Sequence, residues 1–149
     1  MGSTWEQSVS GLLTSHTAHV SAEDVAAFVR LSGDDYEAHT DPEFMARSSF
    51  GAPIAHGALL VGYMSAAGTK AIRAARALGN DMTPVSLGYD RMRFVGPVYF
   101  GDTVTVSYRV KAVDAERARS VAEIEVTKQD GTVVAVAEHV MKWLKPDAI

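Results

Sequence analysis

The segment SGDDYEAHTD, residues 32–41, contains a carboxylate and an imidazole five residues apart. An imidazole can exchange a proton near neutral pH and a carboxylate can accept one, and His39 and Asp34 supply these two groups. The two side chains can therefore hold a water molecule and perform acid–base chemistry where a loop brings them together. Polar loops are also common on protein surfaces, where the same residue types are solvated or cap helices. The spacing alone allows both interpretations.

A second cluster, PIAHG at residues 53–57, stands directly before the longest apolar helix pattern of the chain. The first amides of a helix lack internal partners, and the helix dipole favours negative charge beside them. Gly57 lets a ligand approach its backbone closely, so its amide is a candidate oxyanion site for a carbonyl group. Close helix packing is the alternative explanation of this glycine. For His56 we favour a buried structural imidazole.

The elements that must position these residues follow from hydrophobic periodicity and capping signals. The predicted elements are a strand over 14–20, helices over 21–33, 43–48 and 57–78, and strands over 85–94, 103–113, 119–128 and 133–144. Ser21 with Asp24 is a variant of the capping box, and Asp130-Gly131 predicts a two-residue hairpin turn. The helix over 57–78 is apolar nearly all round in its first half, which we expect to be buried.

The order of these elements indicates the fold class. One strand comes first, helices follow, and four strands come last, and this segregated order argues for an α+β fold with an antiparallel sheet wrapped around the long helix that begins at Gly57. The length of 149 residues suits one domain. We therefore expect a single domain over residues 1–149, with residues 1–10 as a loose N-terminal leader.

The composition argues against several functional classes. There are 14 basic and 18 acidic residues, a net charge of −4, without the basic patch of a nucleic-acid binder. The absence of cysteine removes disulfides, thiol nucleophiles and thiolate metal sites. The first ten residues lack a signal-peptide pattern, and the longest apolar stretch, 57–68, is too short to cross a membrane. We therefore expect a cytoplasmic protein that binds neither nucleic acid nor membrane.

Three blocks follow one another in the chain: SGDDYEAH, then FGAPIAHGALLVGYMS, then YDRMRFVGPVYFGDTVTV. In order and separation they resemble the MaoC-like dehydratases, especially the (R)-specific enoyl-CoA hydratases. The first motif of that family reads roughly S/T-G-D-x-N-P-x-H, and the second reads I-A/V-H-G-x-L. The resemblance covers residues from about 21 to 144. It implies a hot-dog fold, in which an antiparallel sheet wraps a long central helix, in agreement with the α+β arrangement above.

The resemblance also implies roles for individual residues. Asp34 and His39 match the catalytic Asp and His of the family, and Gly57 matches the glycine whose amide binds the thioester oxygen. Ser65 falls at the position of a helix serine that helps to order the site, although a small helix-packing residue is the alternative. The implied reaction is reversible hydration of a trans-2-enoyl-CoA to an (R)-3-hydroxyacyl-CoA. It needs no metal and no separate cofactor, because coenzyme A is part of the substrate.

The chain departs from the family pattern between the two catalytic positions, where Tyr36 and Glu37 replace the usual Asn-Pro. Tyr36 is a candidate for lining the acyl pocket, so the departure bears on the substrate more than on the reaction. One alternative is a hot-dog acyl-CoA thioesterase. Many of these carry a carboxylate on the central helix, and residues 57–78 contain neither Asp nor Glu. Another alternative is a non-catalytic homologue that binds acyl thioesters.

The resemblance further implies a homodimer or higher homo-oligomer, with an acyl-CoA substrate bound near the interface. A short wrapped sheet has edges that need covering, which supports the same expectation indirectly. Coenzyme A contacts from both subunits are expected. Arg91 and Arg93 are candidates for such contacts and equally for plain surface charges.

Overall fold

The computed structural model describes residues 4–148. Its elements are α1 (Thr4–Val9), β1 (Leu13–His19), α2 (Ala22–Ser32), α3 (Glu37–Thr40), α4 (Pro42–Ala46), α5 (Gly57–Ala77), β2 (Thr83–Phe94), β3 (Thr103–Asp114), β4 (Arg119–Lys128), β5 (Val133–Leu144) and a 3₁₀ turn (Pro146–Ala148). The strands form one antiparallel sheet in the order β1-β3-β4-β5-β2. The long helix α5 lies against β1 and β3. The predicted α+β arrangement, a sheet wrapped around one long helix, is confirmed.

The hydrophobic core lies between α5 and one face of the sheet. Apolar residues recur with a period of two on the strands and with helical spacing on α5, so each element presents one continuous apolar face. The buried side chains at these two periods include Val104, Val106, Tyr108 and Val110 on β3 and Leu60, Met64, Ala67, Ala71 and Ala75 on α5. Small residues let the helix approach the sheet closely. A β-carbon on Gly68, for example, would lie 3.2 Å from Cε of Met141.

Capping residues fix the boundaries of the segment that carries Asp34 and His39. At the start of α2, the Asp24 amide donates to Ser21 Oγ at 3.1 Å, and the Ser21 amide donates to the Asp24 carboxylate at 3.0 Å. Gly33 ends α2 with φ of +81°, a conformation that favours glycine. The predicted capping box is confirmed. The segment leaves α2 in a defined direction because both ends of that helix are specified locally.

The predicted loose leader over residues 1–10 is wrong for its described part, and residues 1–3 lie outside the described residues. Residues 4–9 form α1, in which Ser8 and Val9 are buried. Asn80 Nδ2 donates to Ser8 Oγ at 2.9 Å and so ties α1 to the connection after α5. A helix of this length is unstable by itself, so packing against the core must stabilise it, and the local sequence does not predict that packing.

The turn between the last two strands is longer than predicted. Asp130-Gly131 lies within it, and Gly131 has φ of +85°, but β4 ends at Lys128 and β5 begins at Val133. The connection therefore contains four residues. The Lys128 amide donates to the Thr132 carbonyl at 2.9 Å, which closes the longer loop. The predicted position of the turn is confirmed, and its predicted length of two residues is wrong.

The first half of α5 is not buried on all sides. Ala58, Gly62 and Ser65 are exposed and recur at helical spacing, so they form one open face of small residues. The expectation of burial all round is therefore wrong for the single chain, because the sheet covers only the opposite face. Within residues 4–148, no helix is both long and apolar enough to span a bilayer.

Candidate active site

Two separate segments of the chain meet at the start of α5. Asp34 and His39 come from the segment after α2, and His56 occupies the N-cap position of α5. One nitrogen or carboxylate oxygen from each of these three side chains lies within 4.8 Å of the others. The predicted pair Asp34–His39 is therefore brought together, and it lies beside the helix start that contains Gly57.

A hydrogen bond to the backbone fixes one ring nitrogen of His39. Its Nδ1 lies 2.7 Å from the carbonyl oxygen of Ile54. A carbonyl oxygen only accepts, so Nδ1 carries the hydrogen and donates it. In the neutral ring this leaves Nε2 without a proton, as an acceptor and a candidate base. The one-turn helix α3 supplies the local geometry, and the side chain is half-buried.

Asp34 stands on an exposed turn with short-range hydrogen bonds. Its amide donates to Ser32 Oγ at 3.1 Å, and its Oδ1 accepts from the Tyr36 amide at 3.4 Å. The second bond is long for an N–H···O contact and holds the carboxylate weakly. The carboxylate is thus exposed and able to accept a proton or a water molecule.

His56 is buried against the other two residues. Its Nε2 lies 2.9 Å from the carbonyl oxygen of Asp34 and therefore donates, which leaves Nδ1 as an acceptor. Nδ1 is buried and has no hydrogen-bond partner within residues 4–148. The rings of His56 and His39 are stacked, with 3.7 Å between their centres and 25° between their planes. The interpretation of His56 as a buried imidazole is confirmed.

The three side chains fit a metal ion poorly in this arrangement. Both imidazoles already donate one N–H to a backbone carbonyl. Their remaining nitrogens belong to stacked rings, so the two lone pairs lie in nearly parallel planes that are about one ring thickness apart. Two such nitrogens do not converge on one ion at the ~2.0–2.1 Å that zinc requires unless the rings tilt apart.

Phe94 lies so close to Gly57 that no side chain fits at position 57 without a shift. A β-carbon on this residue would lie 2.6 Å from Cδ2 and Cε2 of Phe94, closer than real contacts allow. Among residues 4–148, no side chain caps this end of α5, and the Leu59 amide donates to the His56 carbonyl at 3.2 Å. The amides of Gly57 and Ala58 precede the first intrahelical acceptor and have no capping side chain. Beside the Asp34–His39 pair, they provide donors for an oxygen that gains negative charge.

Two further predicted residues are less closely tied to this arrangement. Ser65 is exposed on α5, two turns beyond Gly57, and within residues 4–148 it makes no hydrogen bond to Asp34 or His39. Tyr36 is 56% exposed and meets the His39 ring edge-on, with 5.9 Å between ring centres. Tyr36 therefore contacts the site from the solvent side.

Apolar cavities flank the site on two sides. One of about 360 Å³ lies between α2, the His39 ring and Phe100. Another of about 310 Å³ is formed by Phe50, Ile54 and the 94–97 segment, next to Gly57 through Phe94. Tyr36 lines neither cavity. Apolar volume of this size beside convergent polar groups is typical of small-molecule sites.

The two arginines considered for coenzyme A make local contacts on β2. Arg91 pairs with Glu138 at 3.1 Å, and Arg93 Nη1 donates to the Met92 carbonyl at 2.7 Å. Both side chains are exposed. Exposed ion pairs contribute little to stability. In the single chain, Arg91 and Arg93 are therefore surface charges.

A second polar cluster lies on the inner face of the sheet and was missed by sequence reasoning. Tyr108 Oη and Ser86 Oγ each lie 2.7 Å from a different ring nitrogen of His139, and the ring of Tyr89 stacks on the imidazole at 4.5 Å. Burial lowers the pKa of His139 from 6.5 to about 4. The sequence feature that could have revealed this cluster is a histidine at an inward-facing position of β5, where buried and less buried residues alternate.

The low pKa of His139 predicts a loss of stability in mild acid. The folded chain keeps this ring neutral until about pH 4, whereas the unfolded chain protonates it near pH 6.5. Its stabilisation is therefore complete above pH 6.5 and declines as the pH falls towards 4. At pH 5 we expect a free energy of unfolding about 2 kcal/mol below that at pH 8, measured by urea denaturation. In His139→Gln this difference should shrink by most of that amount, and an unchanged difference would contradict the assignment.

Comparisons with known proteins agree with this arrangement. The MaoC like domain family matches residues 7–134. The (R)-specific enoyl-CoA hydratase of Aeromonas caviae is 32% identical over 124 residues, 81% of this chain and 84% of that protein. The 3-hydroxybutyryl-CoA dehydratase of Methylorubrum extorquens is 33% identical over 101 residues, 68% of this chain and 59% of that protein.

A solved structure supports the same assignment at the level of the fold. The (R)-hydratase from A. caviae, described as involved in PHA biosynthesis, matches with a TM-score of 0.75 and 29% identity, covering 91% of this chain and 96% of that one. The five-stranded antiparallel sheet around α5 is thus the hot-dog fold of the MaoC-like hydratases. The length of the family match and this shared fold make the chain a member of the MaoC-like domain family.

Proposed function

We propose that the chain catalyses reversible hydration of a trans-2-enoyl-CoA to an (R)-3-hydroxyacyl-CoA. The observation that carries the proposal is the convergence of the Asp34 and His39 side chains beside the start of α5, where no side chain of residues 4–148 caps the Gly57 amide. Family membership and the activities for which the relatives are named, an (R)-specific enoyl-CoA hydratase and a 3-hydroxybutyryl-CoA dehydratase, support this reaction class.

In this mechanism the thioester carbonyl oxygen accepts a hydrogen bond from the Gly57 amide. Polarisation of the carbonyl makes C3 of the conjugated double bond electrophilic and stabilises the enolate-like charge that develops during addition. Asp34 and His39 hold one water molecule and remove a proton from it as its oxygen bonds to C3. A proton is then delivered to C2, so that the elements of water add across the double bond. The two residues act as one coupled acid–base pair.

The reaction needs no metal and no separate cofactor, because backbone dipoles polarise the carbonyl and coenzyme A is part of the substrate. The apolar cavities beside His39 and Gly57 provide candidate room for an acyl chain or the pantetheine arm. Tyr36, at the solvent side of His39, borders the entrance to this region rather than lining a cavity. The proposed substrate class is therefore an acyl thioester of coenzyme A.

The test is an assay with crotonyl-CoA, in which loss of the enoyl-thioester absorbance reports hydration. Oxidation of the product by an enantiomer-selective 3-hydroxyacyl-CoA dehydrogenase reports its configuration. A thiol reagent in a parallel reaction reports release of free coenzyme A. Absorbance loss with an (R) product supports the proposal. Thiol release without hydration would replace it by thioester hydrolysis, against which the lack of any carboxylate on α5 argues.

The proposed functional unit is a homodimer or higher homo-oligomer. Strand β2 is at one edge of the sheet, and its unpaired side and its apolar side chains Val85, Leu87 and Phe94 are exposed in the single chain. An exposed edge strand with apolar side chains offers backbone hydrogen bonds and buried area to a second copy. These features support a contact between copies along β2.

Substitution of Leu87, which is 49% exposed on β2, should weaken this contact. We expect the wild-type chain to elute with at least twice its monomer mass in size-exclusion chromatography with light scattering. Leu87→Lys should shift the mass towards that of a monomer, because a desolvated lysine at the contact is unfavourable. Leu13→Lys is the matched control, since Leu13 is 65% exposed on the opposite edge strand β1. Equal effects of the two variants would argue against a β2 contact.

A further inference from the structure

His56 touches both members of the Asp34–His39 pair although it is only 2% exposed. Its Nε2–H donates to the carbonyl oxygen of Asp34 at 2.9 Å, and its ring stacks on that of His39. The ring of Phe28 packs against it at 4.7 Å between centres. A side chain buried in this way can influence a reaction only through its neighbours.

The hydrogen bond from His56 holds Asp34 in place over a long sequence distance. In the described residues, the other two hydrogen bonds of Asp34 are local: its amide donates to Ser32 Oγ, and its carboxylate accepts from the Tyr36 amide. Within residues 4–148, His56 supplies the long-range hydrogen bond to Asp34, across 22 residues. Because His56 directly precedes Gly57, this bond fixes the backbone of the proposed acid–base residue relative to the proposed oxyanion site.

The stacked rings restrict His39 in a different way. The hydrogen bond from Nδ1 to the Ile54 carbonyl fixes one atom of the His39 ring but leaves rotation about that contact. The face of His56, 3.7 Å away and inclined by 25°, removes this freedom. Together the two contacts set the direction of Nε2. A misplacement of about 1 Å in such a group lowers a reaction rate by about 10²-fold.

We propose that His56 is a positioning residue, which sets the relative geometry of Asp34 and His39 without touching the substrate. This role rests on the proposed hydratase function. It also goes beyond packing, since it assigns a separate task to each contact of the ring. The hydrogen bond positions the backbone of Asp34, and the stacked face positions the Nε2 of His39.

Two variants of the 149-residue chain separate these tasks. His56→Gln keeps a donor near the position of Nε2 and removes the stacked ring, whereas His56→Phe keeps a ring and removes the donor. We expect each to lower kcat for crotonyl-CoA hydration by about 10²-fold, with KM and Tm close to those of the wild type. His16→Gln is the matched control, because His16 also has a buried Nδ1 without a hydrogen-bond partner among residues 4–148 but lies on β1. It should leave kcat unchanged.

A double-variant cycle distinguishes positioning from loss of stability. In the His39→Ala background, His56→Gln should cause little further loss of kcat, because the group that it positions is gone. Full additivity of the two effects would overturn the proposal, as would wild-type kcat in both single variants.

A second readout does not depend on activity. NMR relaxation of the His39 ring in isotope-labelled protein should show one fixed ring orientation in the wild type and a more mobile ring in His56→Gln. An equally fixed ring in that variant would overturn the positioning role. Absence of hydration by the wild type would instead overturn the proposed function, and the NMR comparison would still decide the role of His56.

Discussion

Asp34→Asn and His39→Ala are each expected to lower kcat for enoyl-CoA hydration by about 10²–10⁴-fold, with the chain still folded. Asparagine keeps the size of Asp34 and the acceptor for the Tyr36 amide, but it no longer accepts a proton. Alanine at position 39 removes the imidazole of the pair, whose Nδ1 donates to the Ile54 carbonyl and whose side chain is partly exposed. The assay is loss of the enoyl-thioester absorbance, and circular dichroism checks the fold.

The neighbouring carboxylate provides the matched control for this prediction. Asp35 is exposed on the same turn, and its backbone carbonyl accepts from the Thr40 hydroxyl at 3.0 Å. Asp35→Asn should therefore retain nearly full activity. The double variant Asp34→Asn/His39→Ala should lose little more than either single variant, because residues that act as a unit are not additive. Wild-type rates in Asp34→Asn, or an equal loss in Asp35→Asn, would contradict the assigned pair.

The local signals in the sequence were sufficient to predict most of the fold. Ser21 with Asp24 fixes one helix start through hydrogen bonds three residues apart, and alternation along β3 decides which face is buried. Interactions of this kind depend on neighbours in the chain, so they can be read without knowing the fold. The same reason explains why the proximity of Asp34 and His39 was predictable, since both residues lie on one short segment between two capped helices, whereas their catalytic roles were implied by the family resemblance.

Contacts between distant segments were harder to predict. The hydrogen bond from His56 to Asp34 and the cluster of Ser86, Tyr108 and His139 join positions that the sheet and α5 bring together. The helix that contains Val9 was likewise missed, because six residues are too few to be stable as a helix without tertiary packing. In each case the stabilising free energy comes from burial in the folded chain, so no local sequence pattern predicts the contact.

Gly57→Ala is expected to lower kcat for hydration by about 10²–10³-fold, the usual effect of losing one oxyanion donor. The new β-carbon would lie 2.6–2.8 Å from three ring carbons of Phe94, including Cγ near the base of the side chain. Rotation of the ring tip alone does not relieve such a contact, so the start of α5 must shift, and its first amides shift with it. Gly62→Ala is the matched control on the same helix, because a β-carbon there would have nothing within 4 Å among the described residues.

Phe94 offers a way to separate the steric cause from other causes. In the Gly57→Ala/Phe94→Ala double variant the methyl group has room, so the helix start can return to its position. We expect kcat of the double variant to approach that of Phe94→Ala alone and to exceed that of Gly57→Ala. The direction of the β-carbon supports this expectation, since it points at the Phe94 ring and not into open space. Wild-type activity in Gly57→Ala would remove this amide from the mechanism, and failure of the double variant to recover would show that contact with Phe94 is not the cause of the loss.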